Sequence, residues 1–581
     1  MLKKDRHVHT ISEHRYPQSH RTDVENAPLP VLCPLAFCTI VQIQSSTATQ
    51  PCTKDILTEM KPIKSVHLTP ISANLTHISR YGRFLGLFLI MAFLATSPAS
   101  AQDQKAAETP VTPIPDEQKS ETTHKVVVNG VEISYLATAA TMHLLNDDGE
   151  VTGSLYYTAY TRTGAPAGPR PISFIYNGGP GSASMWLHMG AFGPKRVLIN
   201  DPEPTPPPPY NLENNPGTLI DVTDMVFIDP IGTGFSRVVG KGKGTEYWGV
   251  DEDAKSLTQF ITKYVTREHR WNSPKFLIGE SYGTTRNAVL ANRLQNQAGM
   301  HLNGVVMIST VLDFETLRFG PGRDESFITF LPSYAITAAY QGVVAWPSHL
   351  ENWLAEIRTF ATHEYASVLA QGASAPPEEY AAVRARLATY TGLSVYYLDK
   401  ARLRVDAGQF RAELLRKQGR IVSRLDARYD ALTNNLLSES AGSDPQQPAI
   451  SGAYTAAINQ YLRDELGFTT PDVYQVSGGT RNWNWNRGDS GWGGAALVTT
   501  DLEQAMIQNP NLKVQFENGY YDLATPFFAT EWTTDHMLLP DELRSNIKHN
   551  YYQAGHMMYA LDKELLQLKK NIAEFIASAT H

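Results

Sequence analysis

From His124 the chain alternates apolar and polar residues with a period of two. Val126-Val127-Val128 and Val131-Glu132-Ile133-Ser134-Tyr135 flank Asn129-Gly130, a pair that favours a tight hairpin. Gly153–Arg162 continues the alternation. Short strand-like segments then recur at Pro171–Tyr176, Met225–Asp229, Lys275–Ile278, Gly304–Ile308, Val514–Asn518 and Ile547–Tyr552. Each is of strand length and reads as a strand, Met225–Asp229 as a buried one. Helical periodicity separates or follows them at Asp251–Arg267, Thr284–Gln297 and Lys563–Ser578. Strands alternating with helices predict an α/β fold with a mainly parallel sheet covered on both faces. From 316 to 470 the pattern changes. Leu350–Leu369, Glu378–Tyr390 and Asp406–Asp430 read as amphipathic helices with no strand between them. This predicts a helical cap inserted over the sheet, dividing the core into 124–315 and 471–581.

The first hundred residues follow another pattern. Arg83 precedes an apolar run of about twelve residues, Phe84–Ala95, and then Thr-Ser-Pro-Ala-Ser-Ala. Residues 81–101 thus read as a secretory signal peptide cleaved after Ala101, too short to span a membrane as a helix. Residues 1–80 are Ser/Thr/Pro/His-rich without periodicity and read as an over-extended N-terminus. Residues 102–123 are a polar Pro/Glu/Gln/Thr/Lys linker. All three cysteines, Cys33, Cys38 and Cys52, precede Ala101, so the exported part offers no disulfide, thiolate nucleophile or thiolate metal ligand. The net charge of −8 becomes −12 once ten Lys/Arg and six Asp/Glu of residues 1–101 are removed. An acidic surface is a poor match for nucleic acid or an anionic membrane. These features predict an exported, periplasmic or extracellular protein without stable membrane insertion.

The candidate chemistry begins at Gly279-Glu280-Ser281-Tyr282-Gly283, between an apolar strand and a helix-compatible segment. Gly-x-Ser-x-Gly in that setting is the pattern of a nucleophile elbow, in which a sharp strand-to-helix turn exposes one serine. The following helix brings backbone N–H groups and a positive dipole end to where an oxyanion would form. A serine nucleophile needs a base, and the base an orienting acid. Asp522 follows the strand Val514–Asn518, and His556 follows Ile547–Tyr552 in Gln553-Ala554-Gly555-His556-Met557. Alone, the first reads as a turn residue and the second as a surface histidine. Together, each behind a strand and in the order serine, acid, histidine, they read as a triad. His536 and His549 are weaker candidate bases, Asp535 and Asp562 weaker candidate acids.

Asn177-Gly178-Gly179-Pro180-Gly181-Ser182, Phe227-Ile228-Asp229-Pro230 with Gly232-x-Gly234-Phe235-Ser236, the elbow, Asp522 and Ala554-Gly555-His556-Met557 together resemble the serine carboxypeptidase family, an α/β-hydrolase fold. The resemblance covers about 125–315 and 470–575. It implies that Ser281 is acylated, that His556 acts as base and then acid, and that Asp522 fixes the imidazole tautomer. It places the oxyanion hole at the N–H groups of Gly179 and Tyr282. It also implies that Asn177, the Gly178 N–H and Glu280 bind the terminal carboxylate of a peptide with a free C-terminus. No cofactor or metal is implied. Departures are visible. Ala191 stands where the family usually has a second glutamate, Ile175 for its tryptophan, Ser182 for its cysteine, and Gly519-Tyr520-Tyr521-Asp522 for its Gly-Asp-x-Asp. Ala191 makes a second reading reasonable: an esterase, amidase or acyltransferase using the same triad. A third is a non-catalytic binding protein with a relic site.

Other signals carry less. Gly232-Thr233-Gly234 lacks the third glycine of a dinucleotide fingerprint and reads as a structural turn. Trp483, Trp485 and Trp492 lie in a Gly/Asn-rich loop, where packing and the lining of an apolar pocket are both open. Arg424-Leu425-Asp426-Ala427-Arg428 reads as a solvated helix face, with ion pairs anchoring the cap as the other possibility.

Overall fold

The apolar runs assemble into one sheet. The computed structural model describes residues 111–165, 168–479, 482–487 and 496–580. The signal-peptide stretch and the three cysteines lie outside the described residues. The principal strands are β1 (Lys119–Val128), β2 (Val131–Leu145), β3 (Val151–Arg162), β4 (Ile172–Tyr176), β5 (Asp224–Ile228), β6 (Lys275–Glu280), β7 (Gly304–Ile308), β8 (Lys513–Gly519) and β9 (Ile547–Tyr552). They lie in the order β1-β2-β3-β5-β4-β6-β7-β8-β9, with the short strand Arg237–Val238 against β3. β1 to β3 pair antiparallel, as do β3 and β5; the remaining pairs, from β5 through to β9, are parallel. The fold is that of an α/β-hydrolase.

Alternation explains the two faces. Phe276 and Ile278 of β6 join Ile175, Phe227, Val306 and Ile308 on one side, covered by Leu568 and Ile572 of the closing helix α3 (Asp562–Ser578). Leu277 points the other way, with Phe174, Val226, Val305 and Met307, under Leu257 of α1 (Val250–Arg267) and Val289 of α2 (Tyr282–Ala298). Every residue of β4 to β7 is buried, which is why these strands read as continuous apolar runs.

Two boundaries differ from the sequence pattern. Pairing begins at Lys119, so five residues of the polar linker belong to β1, opposite Leu136–Ala140 of β2. The hairpin itself closes on Asn129 and Gly130, both with positive φ (51° and 79°), as a two-residue turn with the right-handed strand twist requires. Within the insertion, Leu350–Leu369 and Glu378–Tyr390 are helical, but Asp406–Asp430 is not one helix. Ala407–Glu413 is helical, and Arg420–Val422 then pairs antiparallel with Asp430–Leu432. Most of the intervening turn is buried, with Arg424 exposed. A third apolar cluster joins the insertion to the acid loop: Phe330, Tyr334 and Phe410 share it with Tyr520, Tyr521 and Phe527.

Glu517, inside β8, is fully buried and accepts hydrogen bonds from the Tyr552 hydroxyl (2.5 Å), Gln515 Nε2 (2.5 Å) and Asn550 Nδ2 (3.1 Å). Burial outweighs these donors and pushes its carboxyl up to about 7. Between the ordinary value of 4.5 and about 7, the folded protein holds a proton that the unfolded chain has lost. Its contribution to stability therefore falls as pH rises through that window. Glu517→Gln should abolish the loss, so the stability difference between variant and wild type should shift in the variant's favour by about 2.5 kcal/mol from pH 5 to pH 8. Urea unfolding at the two pH values measures it; a difference independent of pH contradicts the assignment.

Candidate active site

Six parallel strands end on the same edge, and the candidate residues sit on the loops that leave it. Ser281 occupies the turn between β6 and α2 with φ 60° and ψ −128°, a conformation that costs a non-glycine residue of order 1–3 kcal/mol. Its neighbours explain how the turn is held. Ser281 N–H donates to Ile308 O of β7 (2.9 Å), and Thr284 N–H and Oγ1 both donate to Ser281 O (2.8 and 2.7 Å). Space requires the first flanking glycine and crowds any larger residue at the second. A Cβ at Gly279 would collide with Gly283 O, and one at Gly283 would lie 3.1 Å from Tyr176 O.

On the far side of the edge, His556 Nδ1 lies 2.7 Å from Asp522 Oδ2. The carboxylate takes more than the imidazole. Its Oδ1 accepts the N–H groups of Ala524 (2.7 Å) and Thr525 (2.9 Å), and Oδ2 also accepts Thr525 Oγ1 (2.8 Å). Thr525 Oγ1 is 3.2 Å from His556 Nδ1 as well. A fully buried acceptor so saturated places the imidazole proton on Nδ1 and leaves Nε2 as the basic nitrogen. Burial opposes charging of His556, but the charge and hydrogen bond of Asp522, with Glu280 nearby, prevail and hold it above the usual histidine value. Ser281 and His556 meet through β7. Ile308 O takes the Ser281 N–H, and the adjoining Ser309 Oγ donates to His556 O (2.6 Å). No hydrogen bond joins Ser281 Oγ to His556 among the described residues, a link that in unliganded hydrolases often closes only with substrate.

The glycine-rich loop after β4 lies directly over the elbow. A Cβ at Gly178 would collide with Tyr282 N and would stand 2.6 Å from Glu280 O and 2.7 Å from Gly283 N. Gly179 follows at φ 102°, open to glycine alone. Among the described residues no backbone hydrogen bond takes up the N–H of Gly179 or Tyr282. Asn177 Nδ2 donates to Glu280 Oε1 (3.0 Å), and Asn177 Oδ1 accepts Leu187 N–H (3.0 Å). Glu280 is buried, which raises its pKa against the pull of side-chain hydrogen bonds from Tyr559 and Asn177, and Tyr454 lies close by. Ala191 is buried in the short helical turn Leu187–Phe192. A Cβ at the preceding Gly190 would collide with the Tyr454 hydroxyl and approach the Tyr559 ring to 2.9 Å, so tyrosines fill that corner.

The other candidates lie elsewhere. His549 stacks on Phe516 at 4.9 Å and burial holds it down to about 4. His536 is exposed and bonded to Trp532 O. Asp562 pairs with Arg196 (2.8 Å). Asp535 is exposed. Trp483 and Trp485 pack edge-on against the Tyr282 ring (5.3 and 6.0 Å); Trp492 lies outside the described residues. The Gly232–Arg237 segment is a turn, closed by Ser236 N–H to Thr233 O (2.8 Å). Among the described residues no group of three or more His, Cys, Asp and Glu is arranged to hold a metal ion, and no helix is long and apolar enough to cross a membrane.

Arg286 escaped the sequence pattern, and Asp229 stood in it without a role. Arg286 of α2 is fully buried, donates from Nη1 to Asn177 O (2.7 Å) and from Nε to Asp253 Oδ2 (2.6 Å), and lies over the Tyr176 and Tyr282 rings. It ties the glycine loop to the elbow helix. Asp229 accepts Ser184 N–H (2.8 Å) and Oγ (2.7 Å), fixing the other end of that loop.

Comparison with known proteins adds to this geometry. Residues 139–317 match the family model described as Serine carboxypeptidase. "Serine carboxypeptidase-like 51" of Arabidopsis thaliana is 26% identical over 179 residues, 29% of this chain and 35% of that protein. The matches support the serine carboxypeptidase family. "Carboxypeptidase sxa2" of Schizosaccharomyces pombe, 28% identical over 169 residues, covers 28% of this chain and 30% of its own length. The chain thus spans about a third of the length of the curated carboxypeptidase relatives it matches. The family match takes in the glycine loop and the elbow and stops before Asp522 and His556. Among solved structures, the prohormone-processing carboxypeptidase Kex1 of Saccharomyces cerevisiae superposes with a TM-score of 0.46 at 17% identity, over 76% of this chain and 91% of that one.

Proposed function

We propose that the chain is a serine-type carboxypeptidase, exported after cleavage at Ala101, that removes C-terminal residues from peptides through an acyl-enzyme. One observation carries the reading: a serine held at positive φ on a strand-to-helix elbow shares its sheet edge with a histidine whose Nδ1 is bonded to a buried aspartate at 2.7 Å. In this reading His556 Nε2 takes the Ser281 proton as Oγ attacks the scissile carbonyl. The oxyanion meets the N–H groups of Gly179 and Tyr282, each donor worth about 2.7–4 kcal/mol in the transition state. His556 then protonates the leaving amine, and water activated by the same imidazole hydrolyses the ester. Glu280 supports the exopeptidase assignment. A buried carboxyl with a raised pKa, oriented by Asn177 on Oε1 beside the Tyr559 hydroxyl, is suited to donate to a substrate carboxylate.

A second reading keeps the triad and changes the substrate to an ester, amide or other acyl donor. Ala191, with Tyr454 and Tyr559 in the corner beside it, is the observation that favours it. A blocked dipeptide separates the two. Benzyloxycarbonyl-Phe-Leu should be hydrolysed far faster than its C-terminal amide, and a peptide mixture should shorten stepwise from the C-terminus by mass spectrometry. Equal rates on acid and amide would move the assignment to the second reading.

A further inference from the structure

The insertion reaches into the triad itself. Its turn 423–429, between the two short strands of the antiparallel ribbon, is bonded to both loops that carry the acid and the base. On the histidine side, Asp426 Oδ2 accepts the Gly555 N–H (3.0 Å) and Leu425 O accepts the His556 N–H (2.7 Å). On the aspartate side, Ala427 N–H donates to Tyr521 O (2.9 Å) and Leu523 N–H to Arg424 O (3.0 Å), bracketing Asp522. Gly555 has no room for a side chain because Asp426 lies against it. The turn is itself braced. Fully buried Asp426 pairs with Arg428 Nη2 (2.5 Å), whose guanidinium also meets Asp201 (Nη1–Oδ2 2.9 Å), joined by the Tyr429 hydroxyl (2.9 Å). From the other flank Asp444 accepts the Ser423 hydroxyl (2.5 Å) and the Arg424 N–H (2.8 Å).

An apolar turn would have filled the same space, since buried ion pairs add little net stability against well-packed hydrophobic residues. What the charged turn supplies is direction. The Asp426 carboxylate aims one hydrogen bond at the Gly555 N–H, and its ion pair with Arg428 braces the turn whose main chain makes the other three, on either side of Asp522 and at His556. We propose that Asp426 is a positioning residue for the triad: through the 423–429 turn, the insertion sets the His556 imidazole against Asp522. The proposal rests on the hydrolytic reading of Ser281, His556 and Asp522. It gives the insertion a part in the chemical step as well as in covering the site, so that a displaced turn would release the base.

Asp426→Ala removes the acceptor for Gly555 and the partner of Arg428; Asp426→Asn keeps an oxygen for Gly555. In the full chain, with benzyloxycarbonyl-Phe-Leu and p-nitrophenyl butyrate as substrates, Asp426→Ala should lower kcat about 10²-fold with KM little changed, the size of effect expected for misplaced catalytic groups. Asp426→Asn should lose less. The proton NMR signal of the Nδ1–H to Asp522 bond, far downfield in the wild type, should vanish or broaden in Asp426→Ala. Asp399→Ala, which removes an insertion ion pair with Arg384 (2.6 Å) bonded to neither loop, should keep both properties. Wild-type kcat and an unchanged downfield signal in Asp426→Ala would overturn the proposal, as would a loss confined to KM. Should Asp426→Ala fail to fold, the same readouts on Asp426→Asn decide. The downfield signal needs no substrate, so absence of wild-type turnover would overturn the hydrolytic reading and leave this test standing.

Discussion

Ser281→Ala should lower kcat on benzyloxycarbonyl-Phe-Leu by about 10⁶-fold, the cost of deleting the nucleophile when base and acid have nothing left to activate. The residual rate should match that of the double variant Ser281→Ala/His556→Ala, because the members of a triad act as a unit. A fluorophosphonate probe should label the wild type and leave the variant untouched. The fold should survive, for Ser281 is held by its backbone: the N–H to Ile308 O and the carbonyl to Thr284. Alanine keeps those bonds and carries a similar penalty at φ 60°. Turnover within tenfold of the wild type would remove Ser281 from the mechanism and with it the acyl-enzyme.

The elbow and the strands around it were legible because their constraints are local. Parallel strands buried on both faces read as apolar runs, so β7 stands where its run stands, Gly304–Ile308. The turn at Ser281 has no room for a Cβ at Gly279 and only a tight fit for one at Gly283, so two glycines mark it. Asp522 and His556 were picked out by place in chain order, each one loop beyond a strand, and the structure brings their side chains to 2.7 Å.

What was not legible depends on partners far away in sequence. Arg424–Arg428 carries alternating charge and reads as a wet helix face; its Arg428 finds Asp201 more than two hundred residues earlier, and burial follows from that meeting. Arg286 looks like an ordinary polar residue on α2 until Asp253 and the Asn177 carbonyl close around it. Lys119–Thr123 are too polar to announce a strand and become one because β2 extends far enough to pair with them. In each case the signal is a tertiary contact, and a single chain's periodicity holds no trace of it.

Asp522→Asn should cost about 10⁴-fold in kcat, the loss expected when the base is left in the wrong tautomer. The geometry gives the reason. Asp522 Oδ1 accepts two backbone N–H groups, from Ala524 and Thr525, so an asparagine must place its carbonyl oxygen there. Its amide nitrogen is then forced into the Oδ2 position, 2.7 Å from His556 Nδ1, where it donates. The imidazole responds by carrying its proton on Nε2, and the nitrogen facing Ser281 loses the lone pair that should take the hydroxyl proton. A second effect follows in the pH profile. With the carboxylate gone, the influences that raise His556 above its usual value largely disappear, while burial continues to push it down. Catalysis needs the neutral imidazole, so the acidic limb of kcat/KM should move to lower pH in the variant even as the plateau falls. Measuring kcat/KM across the acidic range on p-nitrophenyl butyrate reads both changes at once. A plateau that falls with the limb unmoved would mean that Asp522 acts on the fold of its loop, and that the imidazole draws its basicity from elsewhere.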